Sequence, residues 1–236
     1  MNKEKFFLLI FGKSGFGKSY FLEIILRLRW MKRFILIDTQ DEHENIDNVD
    51  VVHTYEELIA YIDARRGTWE TAEMRIVYKG LTAESMEENE AKISSILRLA
   101  MRLGNGMTVI AEECNFLMKP GDERMISKEL NLLISVGRHY CTNFIGITQR
   151  PASVNVKVRS QADAIFCFNV DERADVKYIT DRQSVREIEP VSPAMLPRYK
   201  CLVLGSDLGR ELDRLPAEIL NEYVVNLPAP AAADPL

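Results

Sequence analysis

Apolar residues along this chain fall into short uninterrupted runs, and between the runs they recur every three or four positions. A short apolar run is typical of a strand buried on both faces, whereas the wider spacing is typical of a helix with one buried face. The runs predict strands at residues 6–11, 34–37, 51–52, 75–78, 107–111, 144–148, 164–170 and 201–204. We expect the last of these to be the final strand of the fold.

The helical spacing predicts helices at residues 19–32, 55–65, 84–103 and 122–136. The third ends at a glycine-rich turn, 104–106, and the fourth ends at Gly137. Strands that alternate with helices predict an α/β fold with a mostly parallel central sheet flanked by helices. We predict one domain over residues 1–226, followed by a poorly ordered tail at 227–236 that is rich in Pro and Ala.

The composition is ordinary for a soluble globular protein, with 47% apolar residues, 28% charged residues and a net charge of −5. This charge excludes a strongly basic nucleic-acid-binding module as a description of the whole chain. No stretch approaches about eighteen apolar residues, so we expect a soluble protein that is not secreted and does not insert into a membrane. The four cysteines are widely spaced, which favours buried reduced thiols over a disulfide or zinc framework.

Residues 12–19, GKSGFGKS, follow the first predicted strand and precede the first predicted helix. They match G-x-x-x-x-G-K-[ST], in which glycines let successive backbone N–H groups turn towards phosphate oxygens. Lys18 would reach the β- and γ-phosphates, and the Ser19 hydroxyl would bind Mg²⁺. The predicted contacts to a nucleoside triphosphate come from Gly12, Ser14, Gly15, Phe16, Gly17, Lys18, Ser19 and Tyr20.

Two glutamates, Glu112 and Glu113, follow the apolar run 107–111. Carboxylates at the C-terminal end of a parallel strand face the crevice in which ligands bind. We assign Glu112 to Mg²⁺, through water, and Glu113 to the general base that polarises the attacking water. The alternative is two solvated carboxylates in a loop, and the phosphate loop earlier in the chain favours the functional assignment.

A polar residue also follows the predicted strand 144–148, which continues into Gln149-Arg150-Pro151. At the tip of a neighbouring strand, the Gln149 amide can hydrogen-bond the γ-phosphate or the attacking water. The alternative is an ordinary strand-end turn, since Pro151 biases the residue before it away from helix.

Together these residues resemble the HerA–FtsK superfamily of P-loop ATPases that pump DNA. The resemblance rests on the phosphate loop, on the strand that ends in paired acids (VIAEE, 109–113), and on GRHYCTNFIGITQRP at 137–151, which is similar to the family's arginine-containing turn and sensor strand. DTQDEH at 38–43 is similar to the pattern after the family's second strand, with His43 where an aromatic residue is common. The matched segments extend over most of the chain.

The resemblance implies a RecA-like P-loop NTPase fold, ATP as the nucleotide, and a homo-oligomeric ring, a hexamer, around double-stranded DNA. Arg138 matches the arginine that enters the neighbouring subunit's site and stabilises charge on the γ-phosphoryl group, and Arg150 is the second candidate. A surface salt bridge is the alternative for either arginine. Both acids are Glu here, where many members place Asp first, so the resemblance leaves open which carboxylate is the base.

The compact chain looks like the packaging ATPases of tailless, membrane-containing viruses. This implies an enzyme that packages duplex viral DNA into a preformed capsid, works in the host cytoplasm or on the virion, and binds capsid or vertex proteins. ATPases of conjugation, secretion or filamentous-phage assembly are the first alternative, although they usually carry a membrane anchor. A regulatory nucleotide switch or small-molecule kinase is the second, but the sequence has no N-K-x-D motif, and a kinase would not need the pattern around Glu112 and Gln149.

Overall fold

The structure is a computed structural model that describes residues 6–27, 31–39, 43, 46–68, 72–81, 85–184, 192–205, 220–221 and 224–226. The predicted tail at 227–236 lies outside the described residues, as do residues 40–42 of the segment that resembles the family pattern. Within the described part of the chain, no helix is both long enough and apolar enough to cross a lipid bilayer.

Ten strands among the described residues form one sheet, in the order β3-β4-β2-β5-β6-β1-β7-β8-β10-β9. They are β1 (Phe7–Phe11), β2 (Arg33–Ile37), β3 (Asp50–Val52), β4 (Met74–Tyr78), β5 (Met107–Ala111), β6 (Thr142–Thr148), β7 (Ala164–Cys167), β8 (Lys200–Gly205), β9 (Leu220–Asn221) and β10 (Val224–Asn226). The first seven strands in this spatial order, which are β1 to β7, pair in parallel. The other three, β8, β10 and β9, extend the sheet by antiparallel pairing. The predicted α/β class is confirmed, but 201–204 is not the final strand, because β9 and β10 follow it.

The described helices are α1 (Lys18–Arg27), α2 (Tyr55–Ala64), α3 (Met86–Leu103), α4 (Lys128–Tyr140), α5 (Val156–Gln161) and α6 (Arg173–Ser184). The predicted end of α3 is confirmed, since Gly104 follows the helix with a positive φ of 54°. The short α5 and the polar α6 were not predicted from the apolar pattern, because neither carries a long apolar stripe.

α4 begins later than the sequence predicted. The predicted first turn, from residue 122, belongs instead to a loop in which Met118 and Ile126 form an isolated antiparallel bridge. The Asn155 side chain fixes this loop, because its amide nitrogen donates to three of the loop's carbonyl oxygens at 3.1, 3.0 and 3.2 Å. These contacts come from a residue far along the chain, so a local pattern does not reveal them.

α4 also ends later than predicted, because Gly137 does not stop it. Gly137 is buried inside the helix, which continues to Tyr140. The chain leaves the helical conformation at Cys141, whose φ is 49°, and enters β6 at once. A buried glycine within a helix lets a neighbouring element pack closely, at a cost of about 1 kcal/mol relative to Ala.

Both faces of the sheet are covered, and β1 illustrates how. Phe7, Leu9 and Phe11 belong to a core cluster that includes the apolar residues of α2, α3 and α4. Leu8 and Ile10 belong to a second cluster that includes the apolar residues of α1. The uninterrupted apolar runs in the sequence therefore follow from burial on two sides, as predicted.

Candidate nucleotide-binding site

The carboxyl ends of β1, β5 and β6 meet at one edge of the sheet, where a cleft of about 300 Å³ opens. Its lining combines the backbone of the predicted phosphate loop with carboxylate, amide and aromatic side chains. The lining residues are Ser14, Gly15, Gly17, Lys18, Ser19, Tyr20, Glu112, Glu113, Ile147, Gln149 and Tyr199. All of these except Ile147 and Tyr199 are site residues that the sequence predicted.

The phosphate loop joins β1 to α1 through a backbone path that requires glycine. Positive φ angles occur at Gly12 (148°), Gly15 (77°) and Gly17 (108°). Side chains with a Cβ rarely adopt such angles, which explains the glycine spacing. The Gly12 N–H donates to the carbonyl oxygen of Thr148 at 3.3 Å, and the Lys13 N–H donates to that of Asn169 at 2.7 Å. These bonds tie the loop to β6 and to the segment after β7.

Lys18 opens α1, and its side chain returns towards the loop. Its Nζ donates to the carbonyl oxygen of Lys13 at 3.2 Å, and the residue is only 9% exposed. The ammonium group therefore lies beside the loop's backbone and the positive end of α1. The backbone amides of the loop, the Lys18 ammonium group and the N-terminus of α1 together form a site that suits the phosphates of a nucleotide.

The residues at the cleft also fit Mg²⁺, which prefers oxygen ligands and keeps several of its waters. The Ser19 hydroxyl and the Glu112 carboxylate both line the cleft. Among the described residues, no group of three or more His, Cys, Asp or Glu side chains could hold a metal unaided. A magnesium ion here would therefore depend on phosphate oxygens and water as well as on these two side chains.

Glu113 and Gln149 contact each other directly. The Gln149 Nε2 donates to Glu113 Oε1 at 2.9 Å. Glu113, the second residue after β5, adopts the left-handed conformation, with φ and ψ of 44°. A non-glycine residue in that conformation is strained, and such strain tends to persist at functional sites. The Gln149 amide thus fixes the orientation of the carboxylate that the sequence predicted as the general base.

Glu112 is oriented from the other side, by a buried histidine. Glu112 Oε1 lies 2.7 Å from His43 Nε2, and His43 is fully buried. The His43 backbone N–H donates to Asp38 Oδ2 at 3.2 Å, and Lys79 Nζ lies 3.9 Å from the same oxygen. Burial by itself would lower the pKa of His43, but the bond to Glu112 and nearby negative charges raise it above its ordinary value. The bond to His43 thereby fixes the orientation of the Glu112 side chain.

Comparison with known proteins adds evidence on the fold. No protein-family model and no curated protein matches the sequence. The genome packaging NTPase B204 of Sulfolobus turreted icosahedral virus 2, in complex with AMPPCP, matches with a TM-score of 0.60 and 19% identity over 87% of this chain and 94% of that one. B204, the DNA-packaging ATPase of Sulfolobus turreted icosahedral virus, matches with a TM-score of 0.59 and 20% identity over 84% and 91%.

VirB4 of Thermoanaerobacter pseudethanolicus is also similar, with a TM-score of 0.56 and 12% identity over 84% of this chain and 86% of that one. At such identities a likeness in structure establishes a shared fold. The chain has the P-loop NTPase fold. The fold class predicted from the phosphate loop and the alternation of elements is therefore confirmed, and the fold agrees with the resemblance that the motifs indicated.

The two arginines predicted for a P-loop NTPase ring lie at opposite edges of the sheet. Arg138 is in the last turn of α4, shortly before Thr142 begins β6. The cleft lies at the other end of β6, after Thr148, and a strand of seven residues is roughly 20 Å long. Arg138 therefore lies far from the cleft of its own chain.

Arg150 lies at the cleft's edge of the sheet, but its side chain is bound within the chain. Its Nε donates to Asp175 Oδ2 at 3.2 Å, and the backbone N–H of Ala152 donates to the other oxygen of Asp175 at 2.6 Å. Asp175 belongs to α6 and is almost fully buried. The carboxylate therefore holds Arg150 against the turn that follows β6.

Tyr199 also lines the cleft, and it was not predicted from the sequence. It precedes β8, and because β8 pairs antiparallel with β7, its first residue lies at the edge where β7 ends. The Tyr199 N–H donates to the carbonyl oxygen of Phe16 at 3.1 Å. The sequence carries no local signal for this placement, since strand direction cannot be read from an apolar run.

Proposed function

We propose that this protein hydrolyses ATP and uses the free energy to package double-stranded viral DNA. One observation carries the proposal: the phosphate loop, Glu112 and the bonded pair of Glu113 and Gln149 meet in a single cleft. Likeness in fold to a genome packaging NTPase and a DNA-packaging ATPase of viruses supports the viral role.

The positions of these residues support the following mechanism of hydrolysis. The loop amides and Lys18 would bind the β- and γ-phosphates, while Ser19 and, through water, Glu112 would hold Mg²⁺. The ion, when bound, offsets phosphate charge. A water molecule attacks the γ-phosphorus, the bond to the β–γ bridging oxygen breaks, and ADP leaves. Glu113 accepts the water's proton, and Gln149 keeps the carboxylate aimed at the water.

We further propose that the active form is a homo-oligomeric ring, a hexamer, in which Arg138 acts on the neighbouring subunit. The distance between Arg138 and its own cleft, roughly 20 Å along β6, supports a role in trans. A guanidinium at the γ-phosphoryl group stabilises charge that develops in the transition state. Arg150 stays the second candidate, although its bond to Asp175 favours a structural role.

Duplex DNA is the proposed substrate of the motor, and capsid or vertex proteins are the proposed docking partners, in the host cytoplasm or on the virion. With a net charge of −5, the chain needs a local basic surface for DNA. Affinity that depends on a few Lys and Arg side chains weakens steeply as the salt concentration rises.

A secretion or conjugation ATPase is the second candidate function, because the fold is also similar to that of VirB4. The two candidates share the same chemistry at the cleft and differ in what the ring moves and where it docks. A regulatory switch or small-molecule kinase is disfavoured, since neither needs a carboxylate held by an amide from the adjacent strand.

The proposal is tested by measuring ATP hydrolysis with and without duplex DNA, together with the mass of the assembly. We expect turnover that rises with duplex DNA, a mass that corresponds to a ring, and no turnover in a Lys18→Ala variant. A monomeric protein whose ATP turnover is the same with and without duplex DNA would contradict the proposed motor function. Copurification with virions would favour packaging, and copurification with a membrane-bound secretion complex would favour the second candidate.

A further inference from the structure

We propose that Tyr20 and Tyr199 form the surface on which the base of the nucleotide stacks. The inference rests on the proposed nucleotide-hydrolysing function and extends it from the phosphates to the base. It concerns two aromatic rings that line the same cleft as the phosphate loop.

The order of the strands gives the cleft two chemically different ends. Glu112 and Glu113 follow β5 and Gln149 follows β6, which lie on one side of β1. Tyr199 precedes β8, which lies on the other side, beyond β7. If the γ-phosphate lies at the acidic end, the ribose and base continue in the opposite direction, towards the β7–β8 side.

The two tyrosines contact each other across this second end. Their ring centroids are 5.6 Å apart with an interplanar angle of 76°, an edge-to-face arrangement. Both residues are partly exposed, so part of the ring surface faces the cleft. An aromatic face at a cleft wall is the surface on which bases stack, and the contact tolerates any base because every base has a π-face.

Tyr199 is fixed against the phosphate loop rather than free to move. Its backbone N–H donates to Phe16, and a Cβ placed on Gly17 would lie 3.0 Å from Tyr199 Cδ1. Its φ of 63° is unusual for an aromatic residue. This strained backbone conformation holds the ring against Gly17, the third glycine of the loop.

The test compares two ligands that differ in the base. Binding of ATP and of inorganic tripolyphosphate, each with Mg²⁺, is measured by calorimetry on the full chain and on Tyr199→Leu, Tyr199→Phe and Tyr20→Leu. We expect Tyr199→Leu to bind ATP about tenfold more weakly, because stacking is lost, and to bind tripolyphosphate as the unmodified chain does. Tyr199→Phe should bind both normally. Tyr140→Leu, a change at an exposed tyrosine of α4, is the matched control.

Unchanged ATP affinity in both leucine variants would overturn the inference. So would an equal loss for both ligands, because it would assign the tyrosines to support of the phosphate loop. If the Tyr199→Leu chain does not fold, the same comparison of ATP with tripolyphosphate on the Tyr20→Leu chain tests the inference. Failure of the unmodified chain to bind either ligand would overturn the proposed function, and this inference with it.

Discussion

Replacing Gly12 with alanine should destabilise the protein even when no nucleotide is bound. A Cβ at Gly12 would lie 2.6 Å from the Cβ of Phe168 and 3.2 Å from its Cα. Phe168 is fully buried, and its N–H donates to the carbonyl oxygen of Phe11 at 2.8 Å. The added methyl group therefore meets backbone that is itself hydrogen-bonded, so the clash cannot be relieved by rotation of a flexible side chain.

The expected loss of stability is the sum of two free-energy costs. Overpacking in a well-packed core costs about 1–3 kcal/mol. A φ of 148° is unfavourable for alanine by roughly another 1 kcal/mol. The free energy of unfolding should thus fall by about 3 kcal/mol, and in a domain of this size each kcal/mol lowers the melting temperature by about 2–4 °C. We expect a drop of about 6–12 °C for Gly12→Ala.

Gly15→Ala is the matched control, because it lies in the same loop and also has a positive φ, 77°. An added Cβ there would have no atom within 4 Å. Only the backbone cost remains, about 1 kcal/mol, so the melting temperature should fall by only about 2–4 °C. Thermal unfolding by calorimetry or circular dichroism in nucleotide-free buffer measures both. Equal shifts in the two variants would refute the role assigned to the contact with Phe168.

Three further predictions concern catalysis. Lys18→Ala should abolish hydrolysis while the chain stays folded, as steady-state turnover and thermal unfolding would record; retained turnover would contradict the site assignment. Glu113→Gln should leave ATP bound but unhydrolysed, which retention of labelled ATP on a filter measures; rapid conversion to ADP would exclude Glu113 as the base. An assembly made only of Arg138→Ala subunits should hydrolyse ATP at least about a thousandfold more slowly. Mixing in Lys18→Ala subunits, which retain Arg138, should restore hydrolysis at the intact sites of their Arg138→Ala neighbours. Normal turnover of the unmixed variant would remove Arg138 from the mechanism.

Much of the cleft could be predicted from the sequence because its parts are local and one geometric rule brings them together. The phosphate loop, the paired acids and Gln149 each follow an apolar run. Parallel strands end at the same edge, so residues after different strands converge. Glu113 and Gln149 illustrate the rule: β5 and β6 are neighbours, Ala111 pairs with Gly146, and the two polar side chains beyond them are bonded.

The remaining features depend on contacts between distant segments. His43 belongs to a segment that resembles the family pattern, but its bond to Glu112 depends on the path of the loop after β2. The start of α4 depends on Asn155, which holds the loop before it. Tyr199 reaches the cleft only because β8 runs antiparallel to β7. An apolar run reveals that a strand is buried, but its direction and neighbours are set by the whole sheet.

The direction of the elements also connects the chemistry to assembly. α4 extends away from the edge of the sheet that carries the cleft, so Arg138, in the last turn of α4, lies at the opposite edge. Arg150 lies at the correct edge, but the buried carboxylate of Asp175 holds it. Lys13 is likewise paired, with Asp171. Lys18, by contrast, lines the cleft of its own chain. In the proposed ring, a second copy would supply the guanidinium for the charge that develops on the γ-phosphoryl group, so the ring would be part of the catalytic site as well as a means of holding DNA.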